Sequence, residues 1–484
     1  MSVKKNLAFN MLYQVLNMIV PLVTAPYLAR VVGAEGTGIF SYYYSVAGYF
    51  VLFGMVGMNN YGNRSIAMVR DNKDKLSKEF WEIYSVQFVT ALLSLAIYIL
   101  FAMSIHSQER IVVWINILYV ISGVFDINWF FFGMEQFKWT SIRSATVKII
   151  SLVAILVFVK KKEDLYIYIL ISAGSILISQ LVLWPRILKM IKFEQPEWSG
   201  IKKHIKPSMI LFIPVVAVSL YKMMDKVMLG LLSSRVKSGL YENAEKIINI
   251  PIVFINALGT VMLPKMSNLI ANGEFNRSKI YIRDSMQFIM ALALPISMGT
   301  AAVAENFAPL FFGEEFRACG ILIMCLSPIT VFNSWANVLR TQYLIPNKRD
   351  REYTVSVIVG AVFNVLFNSI LITKIGALGA VIGTLIAEFS VMLVQTMSVT
   401  KELEISTYLK DCWIFVVSGL SMYVVVFKCG GLFGENVSSL ILQILIGIAI
   451  YGGLTLTLFI IFQRNRLIYM LNMIKISDNG GRRN

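Results

Sequence analysis

The chain has 484 residues, a formal net charge of +16 and a mean hydropathy of +0.68, and only 15% of its residues are charged, where a soluble protein carries about 25%. Apolar runs of about 18 residues or more recur from end to end, which excludes a soluble enzyme and indicates a polytopic membrane protein. The basic residues alternate with these runs and form no RNA or DNA motif, so a positive-inside topology accounts for them and no nucleic-acid partner is expected.

Taken in order, the apolar runs predict an all-α protein of about fourteen spans, the first two beginning near Leu7 and Ile39 and the last two near Cys412 and Val437. Lys4 and Lys5 precede the first run. Asn10, Gln14 and Asn17 interrupt it and no small-residue cleavage site follows, so it is expected to be a retained span rather than a signal peptide. Those three residues are spaced four and three apart and share one helical face, where they either hydrogen-bond a neighbouring helix or line an aqueous groove. From Pro26 to Val46 the chain passes Arg30, then Gly33, Gly36 and Gly38, then Ser41, Tyr42, Tyr43 and Tyr44. The glycines predict a tight turn between two membrane helices, and no Lys-Ser/Thr follows them as a phosphate loop would require.

With both termini in the cytoplasm, roughly 31 of the 44 Lys and Arg residues fall on inside loops. The strongest inside loops hold Arg64, Arg70, Lys73, Lys75 and Lys78, then Arg186 to Lys206; Lys160, Lys161 and Lys162 are the main exception. The outside loops are too short for a catalytic domain, and no nucleophile and base stand at motif spacing, so a transporter is expected rather than an enzyme. Cys319, Cys325, Cys412 and Cys429 stand singly, without CxxC spacing. His106 and His204 are expected in separate loops, so neither a metal site nor a cofactor is predicted.

The chain also repeats itself. A slide of 201 residues puts Gly38 on Gly239 and Phe40 on Tyr241; a slide of 206 puts Trp129 on Trp335 and Gln136 on Gln342. Each copy holds an even number of spans, so the copies are parallel repeats related by an axis along the membrane normal. The expected division is a six-helix lobe over residues 1–206, a second over 207–410, and two extra helices with a cytoplasmic tail over 411–484.

Charged and polar residues inside the spans are the site candidates, because an ionisable group costs at least ~2.5 kcal/mol at mid-depth unless it is paired or wet. Lys222, Asp225 and Lys226 share one helical patch, as do Glu242, Glu245 and Lys246, with Asn249 and Asn256 continuing a polar stripe. A cross-helix pair of Asp225 with Lys246 is feasible, and the stripe is either a structural ion network or a cavity wall. Glu388 has no neutralising neighbour in sequence; Asp126 lies deep in its span; Arg340 follows Asn333 and Asn337; Arg30 is placed to snorkel to the outer surface.

The segments PYLARVVGAEGTGIFSYYYS at 26–45, GNRSIAMVR at 62–70, WFFFGMEQFK at 129–138 and GLYENAEKI at 239–247 together resemble the Wzx-type polysaccharide flippases, in the superfamily of the MATE drug exporters and lipid II flippases. The resemblance implies a two-lobed, V-shaped bundle in a bacterial cytoplasmic membrane. Its cavity alternates between sides to move an oligosaccharide repeat unit on undecaprenyl pyrophosphate outward. Basic Arg30, Lys222, Lys226 and Arg340 are the candidates to meet the pyrophosphate, Tyr42, Tyr44 and Tyr49 to pack against sugar rings, and Asn10, Gln14, Asn17 and Asn249 to line the substrate groove. Asp126, Asp225, Glu242, Glu245, Lys246 and Glu388 are the coupling or gating candidates. Proton or sodium as coupling ion, and a polysaccharide polymerase and chain-length proteins as partners beside membrane lipid, stay open. A lipid II flippase and a cation-coupled multidrug exporter share the expected fold; a membrane-embedded polymerase is the enzyme alternative.

Overall fold

The computed structural model describes the backbone from Val3 to Phe462 and the side chains of residues 19–462 except Thr260; Asn10, Gln14 and Asn17 therefore lie outside the described side chains. The described residues form helices and turns with no strand. In chain order the helices are α1 (Val3–Met55), α2 (Met58–Val69), α3 (Lys73–Ser104), α4 (Arg110–Val124), α5 (Asn128–Gly133), α6 (Phe137–Phe158), α7 (Leu165–Leu181), α8 (Trp184–Ile187) and α9 (Trp198–Leu232). They continue as α10 (Arg235–Ala271), α11 (Phe275–Phe312), α12 (Cys319–Leu326), α13 (Ile329–Leu339), α14 (Asp350–Ile375), α15 (Ala377–Val399), α16 (Ile405–Leu432) and α17 (Val437–Phe462). Within the described residues thirteen segments are long and apolar enough to cross a membrane, the first running from Ile19 to Val69.

That first segment contains two expected spans. Helix α1 has 53 residues, about 80 Å of helix against a hydrocarbon core of ~30 Å. It is interrupted at Gly33, whose φ of 72° and ψ of −178° lie outside any helix. The break sits at one end of the bundle: Tyr27, before it, donates to the Val159 carbonyl at 2.6 Å, and a Cβ on Gly36, after it, would lie 3.7 Å from Leu165. The expected turn is thus a single-residue break. Gly36 and Gly38 are helical, contrary to the reading of three turn glycines, because one left-handed residue suffices to redirect the chain.

Gly38 is small for another reason. A Cβ there would stand 1.7 Å from the Arg235 carbonyl oxygen, and a Cβ on Gly239 would stand 2.1 Å from the Ala34 oxygen. The two contacts exchange under the 201-residue slide, since 34 maps to 235 and 38 to 239. Ser41 and Glu242 obey the same slide and are joined by a hydrogen bond of 3.1 Å. Reciprocal contacts of this kind mark a local two-fold relation between α1 and the start of α10, as in an isologous interface.

By its internal contacts the chain divides into two compact units, Met1–Asn243 with Ala361–Thr384, and Ala244–Gly360 with Leu385–Asn484. In the first unit one apolar core gathers Leu28, Tyr43, Ala47, Tyr98, Val113 and Ile169, and another gathers Met58, Ile66, Phe80, Ile83, Trp129 and Phe131. The core of the second unit is built from α10, α11, α13, α15, α16 and α17, with Ile289, Val338, Val399 and Ile414 buried in it.

Gly38→Ala, which drives a Cβ against an immovable backbone oxygen, should lower the apparent melting temperature of the detergent-purified protein, at the ~1–3 kcal/mol scale of overpacking. Gly174, with nothing within 4 Å of a built Cβ, supplies the control: Gly174→Ala should leave the melting temperature unchanged.

Candidate functional site

Helices α9 and α10 are joined by a turn at Ser233 and Ser234, which brings Asp225 and Lys226 beside Tyr241 and Glu242 in the first unit. Asp225 is 2% exposed. Its Oδ2 accepts from Tyr241 Oη and from Thr384 Oγ1, each at 2.6 Å, and its Oδ1 accepts from Asn364 Nδ2 at 2.9 Å and from Asn368 Nδ2. The expected pair with Lys246 is not formed: Asp225 is satisfied by four uncharged donors from α10, α14 and α15. Beside it, Asn368 Oδ1 is buried and meets no donor. Gly383 leaves that oxygen its space, since a Cβ there would come within 2.1 Å of it. At the next residue of each helix, Lys226 Nζ lies 2.7 Å from Glu242 Oε2.

At the turn end of the same helices Arg235 grips Glu109 through two bonds, Nε to Oε1 at 3.1 Å and Nη2 to Oε2 at 3.0 Å, and Tyr43 Oη adds a third at 2.6 Å. Burial pushes the Glu109 carboxyl up, but the bonds from Arg235 and Tyr43 outweigh it and hold the group below the usual carboxylate range. The Arg235 guanidinium stands 3.6 Å over the Tyr42 ring, and Tyr44 stacks on Tyr119 with centroids 4.5 Å apart. Tyr42 and Tyr44 therefore pack between helices here, because the Gly38 contact presses this face of α1 against its neighbours.

The remaining candidates are dispersed. Arg30, Lys222 and Asn249 are exposed, and Glu245 and Lys246 are half-buried. Asp126 lies in the break between α4 and α5, its Oδ1 accepting from Asn128 N at 2.9 Å and Asn128 Nδ2 at 2.7 Å. In the second unit Glu388 is 7% exposed; Asn333 donates to it at 3.3 Å, and Asn256 donates to Asn333 at 3.4 Å. Arg340 opens a wide helical turn, Arg340–Leu344, with its guanidinium 5.7 Å from the Tyr353 ring.

One cluster was not anticipated. His204 lies within α9, not in a loop, because the helix starts at Trp198, well before the apolar run that begins at Pro207. His204 and Glu82 are both fully buried. His204 Nδ1 meets Tyr61 Oη at 2.7 Å and Nε2 meets Glu82 Oε2 at 3.3 Å; Lys203 Nζ lies 2.7 Å from that same oxygen and 3.3 Å from Glu79. Glu79, Glu82 and His204 could together ligate a cation, yet the Lys203 ammonium already supplies the positive charge. The cluster borders a cavity of about 570 Å³ lined by Tyr61, Arg64, Glu79, Lys203 and His204. Two glutamates three residues apart at the start of an apolar helix were the available signal.

In the second unit, α11, α16 and α17 enclose an apolar groove of about 520 Å³ lined by Pro295, Gly299, Met422, Val426, Ile448 and Tyr451. Gln443 also lines it, fully buried, and neither of its side-chain polar atoms finds a partner.

Glu82→Gln removes the charge at the centre of the Lys203 and His204 cluster while keeping its shape. Breaking a buried pair costs about 3–5 kcal/mol. Here Lys203 is half exposed and can turn to water, so a loss of about 1–2 kcal/mol is expected, read as a lower melting temperature with normal membrane insertion.

The chain is similar to the "Putative O-antigen transporter" of Escherichia coli K12, at 23% identity over 82% of this chain and 97% of the relative. It is also similar to the "Probable low-salt glycan biosynthesis flippase Agl15" of Haloferax volcanii, at 23% identity over 53% of each chain. Among solved structures, the inward closed lipid II flippase MurJ superimposes with a TM-score of 0.68 at 17% identity, covering 94% of this chain and 99% of that one. An inward-facing MATE multidrug transporter of the MOP superfamily gives 0.59 at 14% identity, covering 81% and 99%. These likenesses establish the all-helical transporter fold. The sequence pattern of the family described as "Polysaccharide biosynthesis protein" matches residues 3–270, more than half of the chain, and the chain belongs to that family.

Proposed function

We propose that this chain is a flippase that carries oligosaccharide repeat units linked to undecaprenyl pyrophosphate from the cytoplasmic to the outer face of a bacterial cytoplasmic membrane. In this reading both termini lie in the cytoplasm, and residues 1–206 and 207–410 are the two lobes of an alternating-access carrier. The observation that carries the reading is the polar and ionic network on membrane-spanning helices of a polysaccharide-family transporter, centred on Asp225, Lys226 and Glu242. Each sugar hydroxyl costs ~2–7 kcal/mol to place in hydrocarbon without a partner, so a flip needs such a polar route and no chemistry. Exposed Arg30 and Lys222, with Arg340, supply charge for the pyrophosphate. The apolar groove between α11, α16 and α17 suits the polyprenyl tail.

Direction has two sources. With the inside negative, each anionic charge carried outward gains ~2.3 kcal/mol per 100 mV. The buried Asp225 carboxylate offers the second: held by the neutral donors Tyr241, Thr384, Asn364 and Asn368 and by no cation, it can take a proton, or a sodium ion that displaces those donors, on one side and release it on the other.

The deciding experiment is deletion of the gene, followed by mass spectrometry of lipid-linked saccharides accessible on each membrane face. Accumulation of a repeat unit on the inner face supports the flippase; unchanged sidedness overturns it; and accumulation of a peptidoglycan precursor instead assigns the lipid II reading. For the coupling role, Asp225→Asn should abolish the dependence of flipping on an imposed sodium or proton gradient in vesicles, with the protein still inserted. Unaltered ion dependence would remove Asp225 from the mechanism.

A further inference from the structure

A third cavity, of about 280 Å³, lies between α2, α5 and α6 of the first unit. Close by, Arg70, which follows α2, bridges to Glu135 before α6 at 2.7 Å. Its wall is made by Asn63, Asn128, Thr140, Ser141, Arg143 and Ser144, with Phe132 and Phe137 closing one side. The two phenyl rings are stacked, centroids 5.7 Å apart and 22° from parallel.

The orientation of Asn128 is fixed by its neighbours. Its Nδ2 donates to Asp126 Oδ1 at 2.7 Å and to Gln180 Oε1 at 3.1 Å. Reversing the amide would set its oxygen against two acceptors, so Oδ1 has to be the atom left over. That oxygen is buried and meets no donor, a state that costs roughly 1–3 kcal/mol unless something donates to it. Thr140 gives its own proton to the Phe137 carbonyl at 3.0 Å, so its oxygen too is left as an acceptor. Arg143 bonds Gln180 Oε1 at 3.3 Å and Ser144 Oγ at 2.9 Å, which holds its guanidinium in the wall as the cavity's one basic lining residue among those described.

Acceptors that lack donors, hydroxyls, a single guanidinium and an aromatic face are the groups that bind a polyol. They do not suit a pyrophosphate, which needs several cations and would face the Asp126 carboxylate directly behind Asn128. We infer that this cavity is a sugar-binding subsite, which holds one ring of the lipid-linked saccharide by donors from its hydroxyls to Asn128 and Thr140, with the ring's C–H face on Phe132 and Phe137. Its volume, near the lower end of ligand cavities at roughly 300 Å³, admits one ring rather than a chain. The inference rests on the flippase reading and names the part of the substrate this site recognises.

The test uses the full-length protein in nanodiscs and two probes: the lipid-linked repeat unit extracted from the deletion strain, and bare undecaprenyl pyrophosphate. Asn128→Ala and, separately, Thr140→Val should each weaken binding of the glycosylated probe by about three- to tenfold, the range of one lost neutral hydrogen bond, and leave the bare carrier unchanged. Thr140→Val keeps the side-chain shape and does not touch the bonds of Asn128 to Asp126 and Gln180, so it stands if Asn128→Ala misfolds. Equal weakening of both probes, or none, overturns the sugar site while leaving the flippase in place. Wild-type protein that binds neither probe overturns both.

Discussion

The close approach of α1 and α10 at Gly38 and Gly239 is the constraint on which the rest of the first unit depends. Lipid tails are as apolar as leucine, so helices in a bilayer gain little by burying apolar surface and associate instead through tight packing and hydrogen bonds. A backbone oxygen from each helix occupies the space where the other glycine would carry a Cβ. That depth of contact sets the rotation of both helices. One turn further on it brings Ser41 to Glu242, and one face over it slides Tyr42 beneath the Arg235 guanidinium.

The buried charges of the first unit are neutralised in two ways with different consequences. Glu242 and Glu82 have cationic partners at 2.7 Å, Lys226 and Lys203. Such pairs carry no net charge and are costly to open, so they hold helices together. Asp225 is held by neutral donors only. Four hydrogen bonds can stabilise a carboxylate away from water, but they leave its full negative charge in a low-dielectric setting. A charge kept in this manner responds strongly to a mobile cation, whereas a paired one does not. The placement of Tyr241, Asn364, Asn368 and Thr384 thus sets Asp225 apart from the acidic groups that are held by a lysine.

The ends of the spans show a second division. Where the apolar runs stop, the helices do not: α3 starts at Lys73 and α9 at Trp198, each a turn or more before its apolar run. The Asn72 side chain caps α3 by accepting from the Lys75 amide at 3.1 Å. These overhanging turns carry Glu79, Lys203 and His204, which tie α2, α3 and α9 at the end that holds most of the basic residues. Asn128 and Arg143 sit near that same end, where Arg70 bridges to Glu135.

Hydropathy, charge asymmetry and the internal repeat were enough to determine the all-α membrane fold, the span order and the concentration of charge on α9 and α10. Each of these is a property of a local window or of one copy of the sequence compared with the other. The sequence could not say which atoms meet. Gly38 reads as a turn glycine until α10 is beside it; Asp225 reads as half of an ion pair with Lys246 until α14 and α15 deliver four neutral donors. His204 reads as a loop residue until Glu82, 122 positions earlier, closes on it. Asn128 gives no signal at all, since its orphaned oxygen exists only because Asp126 and Gln180 claim its amide. Those contacts depend on helix rotation and depth, which are set by side-chain packing between segments far apart in the chain, and so only the tertiary structure decided them.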